Sequence, residues 1–248
     1  MRKVVVANFK GGVGKTACAV NLAVGFAREG KRVLLVDNDS QFNATDALGV
    51  DGQSTSGTYG LIVDSASPPD VMVEVEENLW MVPSSRALAG VDSWLAMQTR
   101  REEILRKRLR DVEGFDFVIL DTAPAFSLLN LNALSYANEV WLPVNMEYLA
   151  LQGVRQMMDN LSIVTEEIEH EVSIRYVIPM FVDRRNSKTQ AILDALYESF
   201  DSKVTTPIRT NVRLSEAPSY HQSIFDYAPS SAGAEDFRTL TQRILTHG

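Results

Sequence analysis

Eight residues near the N-terminus, Phe9-Lys10-Gly11-Gly12-Val13-Gly14-Lys15-Thr16, combine three glycines, two lysines and a hydroxyl. That is the chemistry of a phosphate cradle. Glycines let successive backbone N–H groups turn towards phosphate oxygens, and a helix beginning near Thr16 adds its positive dipole end. Lys15 can then reach the β and γ oxygens, and the Thr16 hydroxyl is placed to ligate Mg²⁺. The common pattern G-x-x-x-x-G-K-[ST] asks for glycine at position 9, where this chain has Phe9. A second lysine, Lys10, stands before the glycine pair instead. A plain glycine turn with surface lysines is the competing reading, and the strand before and helix after the loop argue against it. Two carboxylates close apolar runs further on. Asp37 ends a strand where it can reach the phosphate end of a sheet. Asp121 ends another and is placed to hold a Mg²⁺ shell through water. For Asp37 and its neighbour Asp39 the alternative stays open that one caps a turn and the other is solvated. For Asp121 the alternative is an N-cap of the next helix, which does not exclude the metal role.

The elements that must position these groups follow from hydropathy. Val4–Ala7, Val33–Val36, Phe117–Leu120, Val140–Leu142 and Tyr176–Ile178 read as fully buried strands. Leu151, Val154, Met158, Leu161 and Ile168 fall on one helical face, as do Phe237, Leu240 and Ile244. Strands alternating with helices predict an α/β fold: a doubly wound, mainly parallel sheet with helices on both faces. The stretch from Asp51 to Pro69, rich in Ser, Gly and Asp, reads as a surface excursion within the fold. A single domain over 1–248 is expected.

Composition narrows the function classes. Apolar residues make up 45% and charged residues 23% of the chain, which excludes disorder and fibrous repeats. One cysteine, Cys18, precludes an intrachain disulfide or an all-cysteine metal site and fits a reducing cytoplasm. It lies on the first helix and reads as a small buried hydrophobe. The N-terminus does not read as a signal peptide, and no apolar run is long enough to span a bilayer. With a net charge of −8, any nucleic-acid binding must come from a local patch. One candidate runs from Arg175 to Arg213, with seven Lys/Arg against four Asp/Glu; Arg184, Arg185, Lys188, Arg209 and Arg213 are its members of interest. A second spans Arg100 to Arg110, where cations alternate with Glu102, Glu103 and Asp111. It either extends the first patch or solubilises a helix.

Lys10-Gly-Gly-Val-Gly-Lys-Thr resembles the deviant Walker A motif of the ParA/MinD ATPases. Leu35-Val36-Asp37-Asn38-Asp39-Ser40-Gln41-Phe42-Asn43-Ala44-Thr45 is similar to switch I of the ParA/Soj branch, usually D-x-D-P-Q-x-N-x-T, with Ser40 in place of the proline. The segment from Phe115 to Pro124 resembles its Walker B and switch II. Pro143-Val144, Glu147-Tyr148 and Leu151-Gln152-Gly153 resemble its P-V-x-x-E-Y-x-x-L-x-G block. Asn211-Val212-Arg213-Leu214-Ser215-Glu216-Ala217-Pro218-Ser219 matches its C-terminal signature almost letter for letter.

The resemblance implies specific roles. ATP and Mg²⁺ are the expected ligands. Gly11, Gly12, Val13, Gly14, Lys15, Thr16 and Ala17 would surround the phosphates, with Gln41 beside them. Thr16, Asp37 and Asp121 would hold the metal shell. Asp39 would orient the attacking water, and Lys15 would bear on the transferred phosphate. Lys10 would cross to the partner's phosphates in an ATP-sandwich homodimer, so that assembly depends on the γ-phosphate. Glu147 is placed near the ribose, although an exposed loop acid is the alternative. Adenine is expected near Met180, Phe181, Pro207 and Asn211, positions that could equally be core. Arg185, Lys188 and Arg213 would bind DNA nonspecifically.

The implied function is a partition or positioning ATPase, cytoplasmic and nucleoid-associated. A cargo-bound activating protein would stimulate its hydrolysis and so release it from DNA. Its cargo would be DNA or a protein organelle such as a carboxysome. A MinD-like membrane-cycling ATPase is the alternative. It would need a cationic amphipathic C-terminal helix, whereas Asp236–Gly248 carries only Arg238 and Arg243 as firm cations. An iron–sulfur electron carrier would need more cysteines. A metabolic P-loop ligase shares the fold but not the C-terminal signature. Without a helix-turn-helix before the phosphate loop, operator-specific repression is not expected.

Overall fold

A computed structural model describes residues 1–147, 150–183 and 185–247. Tyr148 and Arg184 lie outside the described residues, as does the side chain of Lys188. Seven strands form one sheet: β1 (Arg2–Val6), β2 (Val33–Asn38), β3 (Val73–Glu76), β4 (Leu79–Val82), β5 (Phe117–Thr122), β6 (Glu139–Asn145) and β7 (Ser173–Met180). Their order is β3-β4-β2-β5-β1-β6-β7, all parallel except β3, which runs antiparallel to β4 at the edge. The expected doubly wound, mainly parallel sheet is what the chain forms.

Strand periodicity divides the core between the two faces. Val4 and Val6 of β1 point into one cluster while Val5 points into the other; Val33 and Leu35 of β2 oppose Leu34 and Val36 in the same way. The first face is covered by α1 (Lys15–Arg28) and by the C-terminal helix, α9 (Ala232–Thr246). There Phe26 stacks on Phe117 at 4.3 Å, and Phe237, Leu240 and Ile244 are fully buried as their spacing predicts. Cys18 is fully buried in the same cluster, where desolvation pushes its thiol pKa up and leaves it inert.

Other helices complete the layers in chain order: α2 (Asn43–Ala47), α3 (Val91–Ala96), α4 (Ile104–Arg108), α5 (Leu128–Tyr136), α6 (Ala150–Glu167), α7 (Ser187–Phe200) and α8 (Val212–Glu216). Most of the second face is built from α5, α6 and the small helices before them.

Two expectations need correction. The Asp51–Pro69 stretch is no mere surface excursion, because Gly57–Asp64 coils into helical turns and buries Leu61 and Ile62 completely. A short apolar run among Ser and Gly carries too little periodicity to announce a helix, yet both residues fill the core. On α6 the buried residues are Ala150, Val154, Met157, Leu161 and Val164, whereas Leu151 and Met158 are exposed. The buried face is rotated from the expected one because several turns of α6 are apolar on more than one side. The helix after the phosphate loop begins at Lys15, in agreement with the expected start near Thr16.

Truncating a buried aromatic should report on α9 as part of the core. Phe237→Ala is expected to cost about 3–5 kcal/mol, read as a lower urea midpoint with the slope unchanged; a loss below about 1 kcal/mol would mean that α9 is loosely attached.

Candidate nucleotide-binding site

The phosphate loop leaves β1 at the C-terminal edge of the sheet and enters α1. Asn8 moors it: its Nδ2 donates to the Pro143 carbonyl on β6 (2.8 Å), and its Oδ1 accepts from the Lys10 N–H (3.0 Å). Gly14 caps α1 in the left-handed region at φ 90°, and a Cβ there would lie 2.8 Å from Met180 Cε and 3.1 Å from Phe181 Cζ. Only glycine satisfies both the backbone angle and the close approach. Lys15 is buried, with its Nζ donating back to the Lys10 carbonyl at 3.2 Å. Burial lowers the Lys15 pKa, opposed by Asp121 and then Asp39. A desolvated ammonium under a ring of backbone N–H groups is a strong attractor for a polyanion.

Asp37 and Asp121 are paired neighbours in the sheet register at the ends of β2 and β5, and both are fully buried. Asp37 accepts from the Asp39 N–H (3.1 Å), the Thr45 N–H (2.8 Å) and the Thr45 hydroxyl (2.7 Å). It therefore does cap a turn, tying the switch I segment and α2 to β2. Asp121 accepts from the Thr16 hydroxyl at 2.7 Å through one oxygen, while its Oδ1 is buried without a partner. The N-cap alternative for Asp121 does not hold, since Ser127 caps α5. Desolvation drives both carboxyl pKa values up, Asp37 to about 6 and Asp121 to about 8, with repulsion from neighbouring carboxylates adding to the effect.

Asp39 is buried beside them, its carboxylate accepting from the Gln41 N–H at 2.9 Å and its carbonyl from the Ser84 hydroxyl at 2.7 Å. Ser84 also donates its N–H to Thr45 Oγ1 (2.9 Å), and the Thr58 hydroxyl donates to the Asp37 carbonyl (2.7 Å). Sequence reasoning assigns no role to Thr45, Ser84 or Thr58. Thr45 stands in the switch I motif, which is a signal for it. Ser84 follows β4, whose short Leu-Trp-Met-Val run is absent from the expected strands.

The remaining positions divide. Met180 is fully buried and Phe181 partly so, and the Thr210 hydroxyl donates to the Phe181 carbonyl at 2.8 Å. The segment carrying Pro207 runs beside β7 through Ile208 N–H to Pro179 carbonyl (2.8 Å) and Val182 N–H to Ile208 carbonyl (3.0 Å). Asn211 caps α8 and sits close to Gly233. Met180, Phe181 and the 207–211 segment thus converge beside Gly14. Glu147, by contrast, is paired at the rim with Lys10 (Nζ to Oε2, 2.5 Å), and this pairing lowers its pKa.

Three cations of the Arg175–Arg213 stretch are compensated locally. Arg185 chelates Asp183, holding that carboxyl at about 2. Arg213 pairs with Glu216 at 2.8 Å, and Arg209 is bound to Asp236 and Glu235. Arg209 is therefore a structural tie to α9 rather than a free cation. Arg185 and Arg213 remain exposed at solvent.

Raised folded-state pKa values mean that the folded protein holds protons the unfolded chain releases, so stability must fall as pH rises from the ordinary carboxylate value of 3.8 through about 8. Melting temperature without nucleotide should decline across that window. Asp121→Asn should flatten its upper part; an identical slope in the variant would contradict the assignment.

The family model described as "AAA domain" matches residues 1–174. The "Chromosome-partitioning ATPase Soj" of Thermus thermophilus is 39% identical over 99% of this chain and 96% of its own length. Among solved structures, one described as cobyrinic acid a,c-diamide synthase from Mycobacterium smegmatis, with bound ATP analogue and magnesium, is 29% identical, with a TM-score of 0.85 over 100% of this chain and 95% of that one. A Cyanothece McdA variant in complex with ATP superimposes with a TM-score of 0.89 over 99% of this chain and 96% of that one; at 21% identity the likeness concerns the fold. With its lysine-preceded phosphate loop, its carboxylates at the ends of β2 and β5 and this full-length similarity, the chain belongs to the ParA/Soj-type ATPases of the ParA/MinD family.

Proposed function

We propose that the protein binds and hydrolyses ATP at the C-terminal edge of the sheet and uses the cycle to control dimerisation and DNA binding. One observation carries the reading: Lys15, Thr16, Asp39 and Asp121 converge at the ends of β1, β2 and β5, with Lys10 held at the rim. The loop N–H groups and Lys15 bind the triphosphate. Phe181 and the 207–211 segment offer a face for the base; Met180, fully buried, belongs to the core. Asp39, fixed through Gln41 and Ser84, is positioned to accept a proton from water. The orphaned Asp121 Oδ1 and two repelling buried carboxylates fit a divalent cation. Thr16 would hold Mg²⁺ directly, with Asp121 and Asp37 behind it. No cluster of three or more His, Cys, Asp or Glu among the described residues could hold a metal alone, which suits a cation that takes its other oxygens from phosphate and water. When bound, Mg²⁺ neutralises charge on the phosphates.

Lys10 at the rim supports an ATP-sandwich homodimer in which each lysine leaves Glu147 for the partner's phosphates. Two copies of Arg185, Lys188 and Arg213 would then act together on nonspecific DNA, with avidity that a monomer lacks. Release follows hydrolysis stimulated by a cargo-associated protein, giving a cytoplasmic, nucleoid-associated cycle that distributes DNA or a protein organelle. The membrane-cycling alternative is not favoured, because the apolar face of α9, which would have to enter the bilayer surface, is buried against α1. A metabolic ligase on this fold would show no ATP-dependent DNA binding, so that measurement separates the two readings.

Three substitutions divide the chemistry. Lys15→Ala should weaken ATP binding by more than about tenfold, whereas Asp39→Ala should keep ATP and lose turnover by about 100-fold. Lys10→Ala should leave monomeric ATP binding near wild type and abolish the ATP-dependent dimer in sedimentation. Wild-type hydrolysis by Asp39→Ala, or an unchanged dimer with Lys10→Ala, would remove those assignments. A second test concerns DNA. Arg185→Glu with Arg213→Glu should preserve dimerisation but reduce DNA affinity by roughly tenfold or more, with a shallower salt dependence. Wild-type affinity and slope would rule this patch out.

A further inference from the structure

A groove with a volume of 1440 Å³ lies across α5 between α4 and α6. Seven cations line it against three carboxylates, in a chain whose net charge is −8. Two of those carboxylates are already occupied, Glu103 by Arg100 at 3.0 Å and Glu102 by Arg101 at 2.9 Å. Arg106 and Lys107 are exposed and make no ion pair among the described residues, and the Arg108 Nε is buried without an acceptor. All three occupy the last turn of α4, where the helix dipole stabilises positive charge.

The floor is different in kind. Trp94, Leu128 and Leu131 are partly buried there, and Ile163 on α6 and Phe126 at one end are exposed. Phe126 lies five residues past Asp121 and meets Phe9 edge-on at 5.4 Å, so the groove ends against the root of the phosphate loop.

We infer that this groove docks an acidic amphipathic segment of a protein partner, its carboxylates facing Arg106 and Lys107 and its apolar side chains seated on Trp94, Leu131 and Ile163. Charge complementarity selects an anion, and the recessed apolar floor selects a peptide over a nucleic acid. A duplex presents phosphates but nothing apolar to fill a groove, whereas a helix with apolar residues at i, i+3, i+4 and i+7 presents both. The docked segment would stand apart from Arg185 and Arg213, so the inference does not rest on the nucleotide or DNA readings.

The test uses the full chain and a fluorescent synthetic peptide of glutamates with leucines at helical spacing, beside a scrambled peptide of the same composition and a duplex DNA probe. Expected is saturable binding at low salt that weakens about tenfold or more with Arg106→Glu plus Lys107→Glu, and several-fold with Ile163→Glu. The scrambled peptide should bind at least several-fold more weakly. ATP binding, measured in parallel, should be unchanged in all variants and reports that they are folded. Equal binding of the scrambled peptide, or unaltered affinity in the Arg106/Lys107 variant, would overturn the inference. Duplex DNA displacing the peptide with higher affinity would overturn it too, and would make the groove a nucleic-acid face.

Discussion

Two carboxylates that ought to repel each other stand side by side at the end of a parallel sheet. Asp37 and Asp121 are neighbours in register, both buried, and the surrounding architecture follows from making that arrangement tolerable. Asp37 is satisfied from within by Thr45 and the Asp39 backbone. Asp121 is satisfied only in part, by Thr16. The residual unfavourable charge is what a bound cation would relieve, so cation affinity and the free protein's pH sensitivity would share one origin. Lys15, desolvated nearby, is the complementary half of the same device.

The satisfied carboxylate also shapes the switch. Because Asp37 binds the Thr45 backbone and hydroxyl together, the turn carrying Asp39 and Gln41 is pinned at its base and anchored through Ser84 to the neighbouring strand. Phe42, at φ 46°, starts α2 from the left-handed region. A non-glycine residue there is held by its surroundings rather than by preference. Ser40, where the family usually has proline, leaves the turn without a locked φ, so these hydrogen bonds supply the stiffness.

How much of this is legible in the sequence depends on whether a residue's role is local. The phosphate loop, the central strands and the α9 face are readable because glycine spacing, apolar runs and helical periodicity are properties of contiguous chain. β4 escapes such a reading although Leu79, Met81 and Val82 are buried, and with it goes Ser84. Leu61 and Ile62 are hidden in a polar stretch. Glu147 and the arginines of the C-terminal half show the other limit. Their residue types suggest ligand contacts, but which acid neutralises which cation is decided by tertiary placement: Asp183 is two residues from Arg185, whereas Asp236 is 27 residues from Arg209.

The Lys10–Glu147 pair has an energetic corollary. Lys10 is not free in water here; it is paired with an acceptor on its own chain. In the proposed dimer, its transfer to a partner's phosphates would be an ion-pair exchange, in which the free energy available is only the difference between two attractions. Exposed pairs are individually weak, so leaving Glu147 would cost little, and the stronger attraction of the triphosphate would hold the lysine until a phosphate is lost. A lysine starting unpaired would bind its target more tightly and let go more slowly. In such a dimer Glu147 would act as a counterweight, favouring rapid reversal over strength.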